Sequence, residues 1–223
     1  MIIVHHLENS RSQRVLWLLE ELGLAYDVKR YERDKETSLA PAALRDVHPL
    51  GKSPVIEDGD RIVAETGAII EYLVGLEGGA GLVPAEGSDD RLRYTYWLHF
   101  AEGSAMPQLL LKLFFSRVKE AKMPFFAKPI ARKIADQILS GYVDPNLATQ
   151  LAYIEAELGS RAWFAGEAFS AADIQMSFPL EGADARGGLD GRFPNIKAFL
   201  QRIHARPAYK RALERGGPYS LMR

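Results

Sequence analysis

His48-Pro49-Leu50-Gly51-Lys52-Ser53-Pro54-Val55-Ile56 reads as a loop that enters a strand through an X-Pro bond. A proline that opens a strand cannot donate a hydrogen bond to the sheet ladder. Although only about 5–6% of X-Pro bonds in folded proteins are cis, the surrounding fold pattern favours a cis bond between Ser53 and Pro54. In that form Ser53 would present its backbone N–H and C=O to a peptide-like ligand, so this stretch predicts one wall of a binding site.

Strand and helix patterns alternate over the first 78 residues. Strand patterns cover residues 2–7, 26–28, 54–57 and 61–64, and helical spacing covers residues 15–22 and 69–76. Gly23 would stop the first helix, because glycine readily adopts the left-handed conformation at a helix end. A strand–helix–strand unit implies two parallel strands with a right-handed crossover. The order βαβ-ββα therefore predicts a thioredoxin-like domain over residues 1–78.

The remainder of the chain is predicted to be all-helical, which gives an α/β + all-α fold class. Residues 79–87 form a glycine-rich linker, and residues 88–223 form the second domain. Ser88 with two following aspartates suits a helix N-terminus, and Pro107 predicts a kink in that helix. Further helices are expected near residues 125–140, 145–159, 171–186, 195–206 and 208–215. Ser170 and Asp173 have the spacing of a capping box.

Composition excludes several function classes. The net charge of −1 gives no reason to expect nucleic acid or an anionic membrane surface as a partner. The chain has no cysteine, so any thiol chemistry must use a thiol brought by a ligand. His5 and His6 are adjacent on one strand and would point to opposite faces, and no chelating spacing predicts a metal. Without a signal-peptide pattern or an apolar run of membrane-spanning length, a cytoplasmic location is expected.

Glu65-Thr66 stands where the fourth strand meets a helix. The free N–H groups of a helix N-terminus favour an anion. Thr66 could donate to a ligand carboxylate, Glu65 could accept from a ligand ammonium, and Lys52 could meet a second carboxylate. Taken singly, Glu65 and Thr66 are better explained as helix caps, and Lys52 as a surface lysine. Together with the Ser53-Pro54 edge, they predict a site for a small zwitterionic thiol.

The loop Asn9-Ser10-Arg11-Ser12 enters the first helix and could activate such a thiol. A free cysteine thiol has a pKa near ~8.5, which hydrogen-bond donors and helix N-termini lower. Lowering a pKa by one corresponds to about 1.4 kcal/mol, so two or three modest interactions would make the thiolate dominant at neutral pH. One of the serines could instead be only the helix N-cap. Ser10, Ser12 and Asn9 all remain candidates.

These motifs together resemble the cytosolic glutathione transferase family, and in particular its serine-type members and a microbial and fungal branch. The resemblance covers nearly the whole chain and rests on Ser10-Arg11-Ser12-Gln13-Arg14-Val15, His48 to Pro54, Glu65-Thr66, Phe169 to Asp173 and Arg206-Pro207-Ala208-Tyr209, with Tyr96 to Ser104 pointing to the branch. The chain has His48 where the family often has Asn, and Thr66 where it often has Ser.

The resemblance implies how glutathione would bind. Ser53, beside a cis Pro54, would pair with the cysteinyl backbone. Glu65 and Thr66 would hold the γ-glutamyl end, and Lys52 the glycyl carboxylate. The resemblance also implies a homodimer and an apolar second-substrate pocket in the helical domain.

Three functions are compatible with these residues. The first is conjugation of the glutathione thiolate to hydrophobic electrophiles, with glutathione as co-substrate and no cofactor. The second is glutathione-dependent reduction of disulfides or peroxides, in which two glutathione molecules supply both sulfur atoms. The third is a non-catalytic binding module that kept the fold. The presence of Glu65, Thr66 and the Ser-Pro step favours the enzymatic hypotheses.

Overall fold

The computed structural model of the chain describes residues 1–76, 79–186 and 188–221. Its first half is a four-stranded mixed sheet with helices packed against it. The elements are β1 (Ile2–Leu7), α1 (Ser12–Leu22), β2 (Tyr26–Tyr31), β3 (Val55–Asp58), β4 (Arg61–Ala64) and α2 (Thr66–Val74), with a 3-10 turn at Ala42–Arg45. The strand order is β2-β1-β3-β4. β1 is parallel to β2 and antiparallel to β3, and β4 is antiparallel to β3. The predicted thioredoxin-like order is confirmed.

Two glycines set the tight turns of this half. α1 ends at Gly23, which has φ +65°, and the β3–β4 hairpin turns at Gly59, which has φ +60°. Such left-handed backbone is readily adopted by glycine and disfavoured for most other residues. The turns therefore fix where α1 returns to the sheet and where β4 pairs with β3.

The regular elements among the described residues of the second half are all helices. It contains α3 (Asp89–Phe100), α4 (Met106–Glu120), α5 (Lys128–Ile138), α6 (Asp144–Ser160), α7 (Ala171–Ala185), α8 (Pro194–His204) and α9 (Pro207–Gly216), preceded by a 3-10 turn at Gly79–Leu82. The side chain of Ser88 accepts from the backbone N–H of Arg91, as a helix cap does. The exact domain boundaries stay a prediction, because residues 77 and 78, at the predicted boundary, and residues 222 and 223, at the predicted end, lie outside the described residues.

Two prolines follow π-helical turns rather than breaks. Pro107 follows the turn Ala101–Ala105, and Pro145 follows the turn Leu139–Val143. In an ordinary helix the proline ring clashes with the carbonyl four residues earlier, and one extra residue in the preceding turn relieves that clash. The kink expected at Pro107 stays a prediction, and the structure has a π turn just before this proline. The helices expected near residues 125–140 and 145–159 correspond to α5 and α6, which the second π turn joins.

The two halves share one hydrophobic core, with α1 at their junction. Trp17 on α1 is fully buried and contacts the rings of Phe169 and Tyr209 from the helical half. On the rim of this contact, Glu21 of α1 accepts two hydrogen bonds from Arg206. The first helix is thus held by the second domain, which fixes the loop that precedes it.

The capping box predicted at the start of α7 is present. Asp173 accepts from the backbone N–H of Ser170 at 2.8 Å and from that of Phe164 at 2.9 Å. Asp173 is completely buried, and burial raises its pKa to about 6 against the hydrogen bonds that favour the charged form. This network ties the segment before α7 to the helix that supports α1.

Candidate active site

A polar cleft of about 210 Å³ lies between the sheet half and the start of the helical half. Its walls are Arg11, His48, Leu50, Lys52, Ser53, Pro54, Ala64, Glu65, Thr66 and Glu102. All five residues predicted to bind glutathione therefore line one cleft. Arg11 and Glu102 line it as well, and the sequence did not single them out.

The Ser53-Pro54 peptide bond is cis, as the fold pattern predicted. The side-chain hydroxyl of Ser53 donates to the carbonyl of His5 at 2.8 Å and accepts from the backbone N–H of Leu7 at 3.2 Å. Both partners belong to β1, so the hydroxyl holds the loop against a central strand of the sheet by two hydrogen bonds. This places the backbone of Ser53 at the wall of the cleft.

Glu65 and Thr66 stand at the N-terminus of α2. Glu65 has φ +71° and is exposed, and its carboxylate makes no capping hydrogen bond to the helix. A non-glycine residue in this conformation costs on the order of 1–3 kcal/mol, and such strain is concentrated at functional sites. The simple capping interpretation of Glu65 is therefore not supported. Thr66 is buried, and its hydroxyl oxygen accepts from Arg14 at 3.4 Å, which leaves the hydroxyl proton free for a ligand.

The cleft floor contains an ion-pair network that the sequence did not predict. Glu102, in the first π turn, accepts from Nε of Arg11 at 3.1 Å and forms an ion pair with Arg14. Arg14 is fully buried and also donates to the carbonyl of Gln175 at 2.6 Å. The network connects α1, the π turn and α7 underneath Thr66. Glu102 is 88 positions from Arg14 in sequence, so no local pattern could indicate the pair.

The charges in this network perturb one another. Burial alone would raise the pKa of Glu102, but the charges and hydrogen bonds of Arg14 and Arg11 together lower it from its ordinary value. Burial lowers the pKa of Arg14, and Glu102 counteracts that shift. Glu102 is therefore ionised at neutral pH and offsets the two arginines.

The first loop forms a buried chain of hydroxyls. The oxygens of Ser10 and Ser12 are 2.7 Å apart, and Ser12 Oγ lies 2.9 Å from Nδ1 of His6. Burial, with a contribution from Arg30, lowers the pKa of His6 to about 4, and the ring also bonds the backbone of Gly216. His6 is thus neutral, and with its other nitrogen donating to Gly216, Nδ1 accepts the Ser12 proton. The proton of Ser10 is then held only by Ser12, and neither serine is among the residues that line the cleft.

Asn9 holds a different position from the two serines. It has φ +49°, and its side-chain oxygen accepts from the backbone N–H of Ser220 at 2.6 Å. Its carbonyl accepts from Arg33 at 3.4 Å. Asn9 therefore joins the first loop to the C-terminal segment. The assignment of Ser10, Ser12 or Asn9 as the activating residue stays a prediction.

Nothing in residues 1–76, 79–186 and 188–221 groups three or more potential metal ligands. His5 and His6 point to opposite sides of the sheet, as expected. His5 contacts Tyr31 and Glu57, whereas His6 contacts Ser12. Within the same described ranges, no helix has the length and apolar character needed to cross a membrane.

The fold and cleft define a two-domain protein whose thioredoxin-like half presents a cis-proline loop and a helix N-terminus to a small ligand. Residues 1–75 match the family model described as the glutathione S-transferase N-terminal domain, and residues 116–207 match that of the C-terminal domain. The chain belongs to the glutathione S-transferase family. The predicted family, fold class and enzyme class are thereby confirmed.

Relatives from fungi and bacteria are similar over almost the whole chain. Glutathione S-transferase 3 of Schizosaccharomyces pombe is 37% identical over 96% of this chain and 88% of its own length. Glutathione S-transferase 1 of Saccharomyces cerevisiae is 34% identical over 96% of this chain and 95% of its own length. A crystal structure of a glutathione S-transferase from Actinobacillus pleuropneumoniae superposes with a TM-score of 0.78 at 33% identity, covering 97% of this chain and 93% of that one.

Proposed function

We propose that the protein conjugates reduced glutathione to hydrophobic electrophiles. The thiol proton leaves to solvent, the thiolate sulfur attacks an electrophilic carbon, a C–S bond forms, and the leaving group departs with its electron pair. Catalysis would come from stabilising the thiolate and from holding the two reactants together. The observation that carries this proposal is the single cleft that unites the cis-proline loop with Glu65 and Thr66.

Each end of glutathione has a complementary group in the cleft. The cysteinyl backbone pairs with Ser53 beside Pro54. The γ-glutamyl ammonium meets the carboxylate of Glu65, which does not cap the helix. The γ-glutamyl carboxylate meets the hydroxyl of Thr66 and the N-terminus of α2. The glycyl carboxylate meets Lys52, whose side chain is exposed at the rim.

Ser10 is our choice for the group that activates the thiol. Ser12 is completely buried, and its hydroxyl proton is donated to Nδ1 of His6. Ser10 retains the backbone N–H of Ser12 as a donor at 3.2 Å when its own proton turns away. Donation from Ser10 to a thiolate therefore costs only the Ser10–Ser12 hydroxyl contact.

Titration calorimetry of reduced glutathione tests the binding site. Wild-type protein should bind with a Kd in the micromolar to low-millimolar range, and Glu65→Ala should weaken binding at least tenfold, or about 1.4 kcal/mol. Glu86→Ala, an exposed carboxylate outside the cleft, is the matched control and should bind as wild type does. Undetectable binding to the wild-type protein would refute the proposal.

The pH dependence of conjugation tests the role of Ser10. Ser10→Ala should raise the apparent pKa in the kcat/KM profile by about one to two, since a hydrogen bond to a charged group is worth about 1.5–3 kcal/mol. The decrease in kcat/KM relative to wild type should be greatest at neutral pH and should shrink above the free thiol pKa of about 8.5. An unchanged profile would move the role to Ser12 or Asn9. If disulfides are reduced much faster than aryl halides are conjugated, the main activity is reductive.

We also infer a homodimer that needs no metal or organic cofactor. Leu92 and Tyr96 lie one turn apart on α3, and their side chains are 73% and 45% exposed, which suits an interface between two copies. Light scattering of the purified protein should give twice the chain mass. Leu92→Asp should lower the measured mass toward that of a single chain. A cytoplasmic location is proposed because the co-substrate must be kept reduced.

A further inference from the structure

A second cavity, of about 410 Å³, lies along α4 and is separate from the cleft described above. It is lined by Lys112, Leu113, Ser116, Arg117, Glu120, Arg186 and Leu221. Three of these side chains are cationic and one is acidic. None of them carries a role in the binding of glutathione proposed above.

The cavity adjoins the first loop. Leu221 on its wall follows Ser220, whose backbone N–H donates to the side-chain oxygen of Asn9 at 2.6 Å. Arg33, which approaches Arg117 closely enough to interact electrostatically, donates to the carbonyls of Glu8 and Asn9. A ligand in this cavity therefore lies beside the loop that carries Ser10.

The cationic side chains are not neutralised equally. Lys112 is paired with Asp144 at 3.0 Å. Arg186 is half-buried, and its Nε is a buried donor without a hydrogen-bond partner among the described residues. Burial, and then the charge of Arg117, lower the pKa of Arg186. The like charge of Arg117 disfavours the charged form of Arg186, and an anion in the cavity between them would offset that repulsion.

The remaining lining residues are two leucines beside the polar Ser116 and Glu120. Leu113 and Leu221 offer hydrocarbon surface beside the arginines. We infer that this cavity is the second-substrate pocket and that it selects apolar electrophiles that carry a carboxylate or sulfonate, with the anion held by Arg117 and Arg186. This inference rests on the proposed conjugation activity and specifies its substrate class. The anion would anchor one end of the substrate, and the carbon under attack would lie toward the first loop.

A pair of aryl chlorides that differ in one charge tests this selection. A chlorodinitrobenzoate carries a carboxylate, and its methyl ester is nearly isosteric and neutral. In both, the thiolate sulfur forms a bond to the ring carbon bearing chlorine, and chloride leaves with the electron pair. Rates of conjugation with reduced glutathione are divided by the uncatalysed rate of each compound, which removes the difference in intrinsic reactivity.

Wild-type protein should prefer the carboxylate. Arg117→Met should lower kcat/KM for the carboxylate about tenfold, or about 1.4 kcal/mol, mainly through KM, and leave that for the ester within about twofold. Arg186→Met should act in the same direction. Lys122 is an exposed cation just after α4 that does not line the cavity. Lys122→Met should leave kcat/KM unchanged for both substrates. Because Arg117 is exposed, its replacement should leave the fold intact.

Two results would overturn the inference. If the ester is conjugated normally but the carboxylate is not preferred, or if Arg117→Met slows both substrates equally, the pocket does not select anions while the transferase function stands. If neither compound is conjugated and calorimetry shows no binding of glutathione, both the proposed function and this inference are refuted.

Discussion

Replacing Glu102 by glutamine should destabilise the protein through its buried partner. Arg14 is 1% exposed and Glu102 33% exposed. Removing one partner of a fully buried ion pair costs about 3–5 kcal/mol, whereas a surface pair is worth about 0–1 kcal/mol. The partial exposure of Glu102 and the acceptor kept by glutamine place Glu102→Gln at about 2 kcal/mol. Urea unfolding at neutral pH measures this loss, and the melting temperature should fall by about 4–8 °C.

The pH dependence has a defined sign. The folded-state pKa of Glu102 is lowered from 4.5, so its stabilising effect is present above that value and is lost as the pH falls through the folded pKa. The difference in the free energy of unfolding between wild type and Glu102→Gln should therefore shrink as the solution becomes acidic. Glu86→Gln removes the exposed partner of Arg91 and should cost less than about 0.5 kcal/mol. Equal losses in the two variants would refute the argument.

Three further predictions follow from particular contacts. Asp173→Ala should destabilise the protein by about 3 kcal/mol, because two buried N–H groups lose their acceptor. Ser170→Ala should cost only about 1 kcal/mol. Equal losses of stability in thermal unfolding would contradict the assigned capping geometry. Lys52→Met should weaken binding of glutathione several-fold in calorimetry but not that of its glycyl monoester, and an equal effect on both would remove Lys52 from that carboxylate. Ser12→Ala should lower stability by about 1–3 kcal/mol because His6 loses its donor, with little shift in the pH profile of kcat/KM.

The thioredoxin-like half could be predicted because its signals are local. Ser53-Pro54 and Glu65-Thr66 each occupy a short segment whose role follows from strand and helix ends, and the structure brings them to one cleft. The helix starts at Asp89, Ala171 and Pro194 likewise have caps or prolines in the sequence itself.

The rest of the site depends on contacts distant in sequence. Glu102 is 88 residues from Arg14, and nothing near either residue indicates the other. The cavity beside α4 joins that helix to Arg186 and to the C-terminal segment. Such sets form only when the helices pack, because the phase of each helix decides which side chains meet.

The first π turn lies between the cleft and the cavity beside α4. An α-helix advances about 100° per residue, whereas the wider turn Ala101–Ala105 takes up one extra residue, so the side chains of α4 beyond it keep the phase of a straight helix that is one residue shorter. Deleting one residue there would remove the bulge that carries Glu102 and leave Arg117 facing its cavity. A relative that is one residue shorter at this turn would therefore differ in the floor of the cleft while presenting the same face of α4 to the cavity.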